Sequence, residues 1–376
     1  MTDRSSQLGS LLPVIAAQAR RGEFPLSYLN PLFHDAQTWK QQARARVLDL
    51  VHYHPPRCDL APETIERVDC DGYTRERVVF STTPDIRVPA FVLVPKQLKG
   101  RAPAIVALHD HGGFYVWGKE KLVETADEHP ALTGFKRCYA GRSIASDLAR
   151  QGYVVVVIDM FYWGERRYVL DDDARDFSQR VGLTPERIDA FNARAGEAEQ
   201  LIARAIYTAG TTWSGMMFWD DIRTVDYLLS RPDVDPSRIG CVGLSVGGYR
   251  SLHLAALDDR IKAAVIVGWM ASFPKQLAHH MPYSIGFTKL VPGLYQQMDL
   301  PDVAALAMPA AVLAINGSQD TLFELDGVKA CFAKLSACYA KAGIPQRFRG
   351  SLYDAPHEFN AAMQAEAWAW LKRWLV

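Results

Sequence analysis

Apolar and polar positions change their spacing twice along this chain. Through the first 60 residues the spacing is helical: Leu11, Leu12, Ile15 and Ala16 share one face, and a second helix is expected over 35–53, ended by Pro55-Pro56. Strand-like runs follow at 64–70, 76–81 and 88–94, each bounded by turn residues such as Asp71-Gly72 and Pro84-Asp85. From residue 104 onward, short apolar runs alternate with helical periodicity. Strands are expected at 104–108, 153–158, 238–242, 263–267, 309–315 and 347–353. Helices are expected at 143–151, 218–230, 248–257, 322–342 and 361–375. Apolar runs such as Val154-Val155-Val156-Val157 suit parallel strands covered on both faces. The alternation predicts an α/β fold with a mostly parallel, doubly wound sheet, to which the early strands add an antiparallel edge. With no internal repeat or low-complexity linker, the expected organisation is an N-terminal helical extension over 1–60 and a catalytic domain over 61–376. Two connections, about 168–214 and 270–306, exceed ordinary loop length, and their place after strands predicts that they shape a pocket.

Composition narrows the classes of function. The 376 residues carry 42 basic and 42 acidic side chains, so no global field draws nucleic acid or an anionic membrane. The apolar run from Leu11 to Ala17 is interrupted by Pro13 and makes a poor signal peptide, and no later segment is long enough to span a bilayer. Six scattered cysteines form no Cys-x-x-Cys pair, and the expectation is a reduced, cytoplasmic protein without structural zinc. The apolar face within 1–60 is open either to packing within the chain or to forming a homodimer.

The candidate chemistry starts at Gly243-Leu244-Ser245-Val246-Gly247, between an apolar strand and a helix. A strand that turns abruptly into a helix strains the residue at the bend, and side chains two positions to either side would collide across it. The pentapeptide alone arises by accident in roughly one chain in ten of this length, so its strand-before, helix-after context carries the weight. A serine hydroxyl needs a base to attack, and the base needs a carboxylate to fix its tautomer. Asp320 follows the strand ending at Ile315, and His357 follows the last strand; Asp326 lies inside the next helix and Asp354 reads as a turn former. His253, His279 and His280 read as packing or surface histidines. Oxyanion donors are expected from the Val246 amide, at a helix N-terminus, and from Gly113 or Phe114 in the loop after 104–108. His109, Asp110 and His111 in that loop lack a third well-spaced partner, so no metal is expected. Asp159 and Arg166 read as loop bracing, and Tyr162, Trp163 and Trp269 as pocket walls. The second long connection is also rich in aromatic residues, among them Phe273, Phe287 and Tyr295.

Together these residues resemble the α/β-hydrolase superfamily, in wording close to its dienelactone hydrolase and acetyl xylan esterase-like branch. The resemblance rests on His109-Asp110-His111-Gly112-Gly113, Asp159 through Gly164-Glu165-Arg166, Val234-Asp235-Pro236-Ser237-Arg238-Ile239-Gly240, Gly243 to Gly248, Asn316-Gly317-Ser318-Gln319-Asp320 and Pro356-His357-Glu358-Phe359. It implies the fold, a serine hydrolase mechanism without cofactor, and catalytic roles for Ser245, Asp320 and His357. Dienelactone hydrolases proper use cysteine as nucleophile; the serine here points towards ordinary esters. The expected enzyme is a carboxylesterase acting through an acyl-enzyme on a small or short-acyl ester. A peptidase, thioesterase or amidase on the same triad, or a binding protein that keeps the fold without turnover, remain the alternatives.

Overall fold

The computed structural model describes residues 6–171, 173, 180 and 182–376. Its strands are β1 (Glu63–Asp69), β2 (Tyr73–Thr83), β3 (Ile86–Pro95), β4 (Ala102–Leu108), β5 (Val154–Ile158), β6 (Val234–Leu244), β7 (Ile261–Val267), β8 (Ala311–Gly317) and β9 (Phe348–Tyr353). They form one sheet in the order β1-β2-β3-β5-β4-β6-β7-β8-β9. The first three are antiparallel, β3 joins β5 antiparallel, and β4 to β9 run parallel to their neighbours and to β5.

Strand side chains alternate between two cores. Val154, Val156 and Ile158 of β5 enter one, Val155 and Val157 the other. Period-two alternation with both sides apolar is why the strand reads as an unbroken valine run. The longer helices that cover the sheet are α1 (Leu12–Arg20), α2 (Ala36–Leu50), α3 (Ile144–Arg150), α4 (Pro185–Thr208), α5 (Trp213–Ser230), α6 (Val246–Leu257), α7 (Leu325–Lys341) and α8 (Ala361–Leu375). The first core receives α2, α5, α6 and α7, through residues such as Trp39, Phe218, Leu252 and Leu335. The second receives α3 and α8, through Leu148 and Leu371 among others.

A cap and a buried stripe set helix α2. Asp35 caps α2 by accepting the Thr38 amide, and Trp39, Ala43 and Val47 at helical spacing are buried in the first core. Helix α1 lies against residues 294–297, while Leu11 and Val14 stay exposed. The connection 168–214 is largely helical in its described part. Thr184 caps α4 with Pro185 at its first turn, and Ile188, Phe191, Ala195, Ala203 and Ile206 form its buried stripe. The 270–306 connection is broken into short helical turns, its bulk packed by Met270, Leu294, Met298 and Leu300.

Sheet order also locates a crevice. β4 lies between β5 and β6, and the helices that follow β4 and β6 cover opposite cores. The connections after these neighbouring strands therefore part at the carboxyl edge and leave space for a ligand.

Candidate active site

Ser245 stands at the junction of β6 and α6 with φ 59° and ψ −122°, a conformation that a non-glycine residue adopts only under constraint. The constraint is visible on both sides. The Ser245 amide donates to Val267 O of β7 at 2.8 Å, and its carbonyl accepts from the Tyr249 amide at 2.9 Å. A Cβ on Gly247 would lie 1.9 Å from Leu108 O, and one on Gly243 would lie 2.3 Å from Gly247 C. The bend thus needs glycine at both positions for space. Gly247→Ala is expected to destabilise the fold by about 3 kcal/mol or more, because backbone on both sides must shift. A urea transition with an unchanged midpoint would remove this account of the turn.

Beneath the turn, α6 is tied to α5 by a fully buried pair. Arg250 donates from Nε and Nη2 to Asp221 at 3.0 and 2.5 Å. Burial pushes the Asp221 carboxyl up, against the pull of the Arg250 charge.

His357 and Asp320 arrive from the ends of β9 and β8. His357 Nδ1–H donates to Asp320 Oδ2 at 2.6 Å, and Asp320 Oδ1 accepts the Leu322 amide at 2.9 Å. His357 Nε2 is buried and has no hydrogen-bond partner among the described residues. Asp354 instead accepts from Gln319 Nε2 and Ser318 Oγ, and Asp326 lies in the first turn of α7. Of the other histidines, His253 is buried against Phe218, and His280 lies near Glu324.

Ser245 and His357 open on one cavity of about 400 Å³. The loop after β4 forms one wall through Asp110, His111, Gly112 and Gly113. Phe135 and Cys138 add to it, and Trp269 and Leu322 face them from the connections after β7 and β8. Both long connections contribute: Glu199 comes from α4, Gly286 and Lys289 from 270–306.

The wall loop is held on every side. Tyr139 OH donates to Asp110 Oδ1 at 2.5 Å, and Lys121 Nζ donates to the carbonyls of Asp110 and His111 at 3.0 Å. His111 Nε2–H donates to Glu199 Oε1 at 2.7 Å, and Tyr115 OH donates to the same oxygen at 3.0 Å. Burial pushes the Glu199 carboxyl up, but the hydrogen bonds from His111 and Tyr115 outweigh it and hold the group below its ordinary range. Burial also lowers His111, so the ring is neutral with its proton on Nε2 and its Nδ1 lone pair free to accept. His109 is held well below its ordinary value by burial and by the Lys121 and Arg250 charges. Its Nδ1 meets Asp110 O at 2.9 Å and its Nε2 accepts the Met160 amide at 3.1 Å. Among the described residues no group of three or more His, Cys, Asp or Glu is placed to hold a metal ion.

Some predicted positions have other tasks. The Gly113 amide donates to His111 Nδ1 at 3.0 Å and the Phe114 amide to His111 O at 3.3 Å. With Gly112 and Gly113 both at positive φ, the loop curls back on His111, which engages both amides. The amides of His111 and Val246 have no partner among the described residues. Trp269 lines the cavity, whereas Tyr162 and Trp163 do not. Trp163 is buried behind His111, its ring 4.8 Å from the imidazole and its Nε1–H donating to His111 O at 3.1 Å. Tyr162 is buried too, its hydroxyl donating to Ala195 O of α4 at 2.9 Å. A buried indole or phenol needs an acceptor for its polar end, and these two find the backbone carbonyls of His111 and Ala195. Asp159 braces its loop, accepting the Lys119 amide at 2.7 Å, Lys119 Nζ at 2.7 Å and the Glu165 amide at 3.0 Å.

Glu199 and Lys289 were not among the candidates read from the sequence. A signal existed for Glu199, which is the charged residue inside the otherwise apolar buried stripe of α4. Lys289 has no such signal, since it ends a single helical turn, Phe287–Lys289, with no apolar stripe to stand out from.

A strained serine between strand and helix, on a sheet of this order, with a carboxylate-bonded histidine at the end of the last strand, defines the α/β-hydrolase class. Within that class the chain belongs to the Abhydrolase family, whose model matches residues 23–349. It is 28% identical over 342 residues to a protein of Bacillus subtilis (strain 168) named "Putative hydrolase YtaP", an alignment covering 89% of this chain and 100% of that one. Two solved structures share the fold. A protein of Bacteroides fragilis NCTC 9343 described as a "putative acetyl xylan esterase" superposes with TM-score 0.72 at 19% identity, over 90% of this chain and 81% of that one. A glucuronoyl esterase from Solibacter usitatus gives 0.63 at 15% identity, over 90% and 93%.

Proposed function

We propose that this chain is a serine carboxylic ester hydrolase that turns over through an acyl-enzyme. The observation that carries the reading is the half-buried His357 ring, bonded to Asp320 through Nδ1 and with no partner for Nε2 among the described residues, on the same cavity as Ser245. With its proton on Nδ1, His357 keeps the Nε2 lone pair to take the Ser245 proton as Oγ attacks the ester carbonyl. The same proton then passes to the departing alkoxide, and the cycle repeats with water as nucleophile. The negative oxygen of each tetrahedral intermediate is received by the amides of Val246, at the start of α6, and His111. His111 is well suited because Glu199, Trp163 and Lys121 hold its ring and carbonyl, so its amide needs little reorganisation.

The substrate is a small or short-acyl ester, since Phe135, Trp269 and Leu322 crowd a cavity of only about 400 Å³. Acetyl xylan and glucuronoyl esters, named for the two solved structures, fall in the range of esters this reading covers. A cytoplasmic location belongs to the same proposal: all six cysteines are unpaired, and no helix among the described residues is long and apolar enough to cross a membrane. A series of p-nitrophenyl esters tests the reading. The rate is expected to peak at acetate to butyrate and fall as the chain lengthens. A peak at long chains rejects the short-acyl assignment, and no hydrolysis across the series rejects the esterase.

A further inference from the structure

The lysines drawn into the interior of this protein are supplied with acceptors. Lys40 Nζ donates to Asp259 Oδ1 and Met308 O at 2.5 and 2.6 Å. Lys119 Nζ reaches Asp159 and Glu165 at 2.7 and 2.6 Å, and Lys121 Nζ two carbonyls at 3.0 Å. Lys136 Nζ donates to Val123 O, Ser143 Oγ and Glu128. Lys289, half-buried at the cavity wall, differs. Its ammonium has no hydrogen-bond acceptor and no ion-pair partner among the described residues, and it lines the cavity that holds Ser245. What it has is the face of Trp269, with Nζ 5.3 Å from the ring centroid.

A half-buried ammonium without a protein acceptor keeps its donors for solvent or a ligand, and one aromatic face answers only part of its charge. Burial drives the Lys289 amine down to about 8, with the distant Glu199 charge opposing the shift. The acidic side chains on the cavity wall do not answer it. Glu199 is held by His111 and Tyr115, and Asp110 by Tyr139 and Lys121. Asp320, behind the wall, is held by His357. The described carboxylates on the wall are therefore engaged by other donors, and the Lys289 ammonium remains to donate into the cavity that holds Ser245.

We propose that Lys289 is a specificity-determining residue, and that the ester this pocket takes carries a carboxylate that pairs with its ammonium. The inference rests on the esterase reading and deepens it by naming the substrate class: a half-ester of a dicarboxylic acid, or an acylated hydroxy acid. Both present the same group to Lys289, one from the acyl side and one from the alcohol side.

Two matched pairs of esters separate these sources. On the acyl side, 4-nitrophenyl hydrogen glutarate is compared with 4-nitrophenyl hexanoate; on the alcohol side, 4-acetoxybenzoate with 4-acetoxybenzamide. The quantity read is the ratio of kcat/KM within each pair, from which the fraction of active enzyme cancels even if a variant folds poorly. Wild type is expected to favour the anionic member of at least one pair by about tenfold or more, mainly through KM, as one charge-assisted contact in a shielded pocket would give. In Lys289→Met that ratio falls to near one, and in Lys289→Arg part of it returns. Wild-type ratios of one or below in both pairs overturn the inference, and so does a preference that survives in Lys289→Met. Phenol release from none of the four esters overturns the esterase reading itself, and the inference with it.

Discussion

Ser245→Ala is expected to lower kcat by about six orders of magnitude, leaving only the residual rate that oxyanion donors and binding sustain without a nucleophile. The variant should fold. Alanine keeps the Cβ that already occupies the bend at φ 59°, and the backbone bonds to Val267 and Tyr249 involve no side-chain atom. Covalent labelling gives an independent measure. A fluorophosphonate probe forms its adduct on an activated serine hydroxyl, so wild type is expected to label stoichiometrically and the variant not at all. Labelling that persists in a folded Ser245→Ala protein would assign the nucleophile elsewhere. An unlabelled wild type, folded by its circular dichroism, would leave a hydrolase fold without serine chemistry.

Asp320→Asn is expected to lower kcat about ten-thousandfold with little change in KM. The magnitude follows from two hydrogen bonds. Asp320 accepts at both oxygens, from the Leu322 amide through Oδ1 and from His357 Nδ1 through Oδ2. The Leu322 N–H is a fixed donor, so the asparagine carbonyl must turn towards it and the NH2 towards His357. The imidazole then has to accept at Nδ1, and its proton moves to Nε2, where a base is needed. The histidine stays in place and in the wrong tautomer. Steady-state kinetics with p-nitrophenyl acetate checks this. A loss of less than about tenfold would mean that another group fixes the ring, and Asp320 would drop from the catalytic set.

Most of the sheet could be read before the structure, for a physical reason. Strands buried on both faces leave apolar runs such as Val154 to Ile158, and turn residues mark where they stop. The positions of Asp320 and His357 were legible because each follows its own strand, and parallel strands deliver their next residues to one edge. The loop after β4 was harder. Which amides of residues 111–114 remain free depends on the curl at Gly112 and Gly113, and the sequence reports only that glycines permit one. The pocket walls show the same limit. Tyr162 and Trp163 have the composition of a binding surface, but their polar ends found the carbonyls of Ala195 and His111 instead. Helix α4 was readable in principle from its Thr184-Pro185 start and its apolar stripe, which the length of the connection obscured.

The bond from His111 to Glu199 has a consequence for how this enzyme can be altered. Insertions at the edge of a sheet are often treated as detachable, to be trimmed or exchanged while the framework keeps its chemistry. Here the insertion reaches back into that framework: α4 supplies the carboxylate that fixes the ring of a residue in the loop after β4. Removing α4 would strand the half-buried imidazole N–H of His111 and loosen the loop that lines the cavity beside Ser245. Shortening the insertion and reshaping the loop are thus one engineering operation, and selection acting on either residue acts on both.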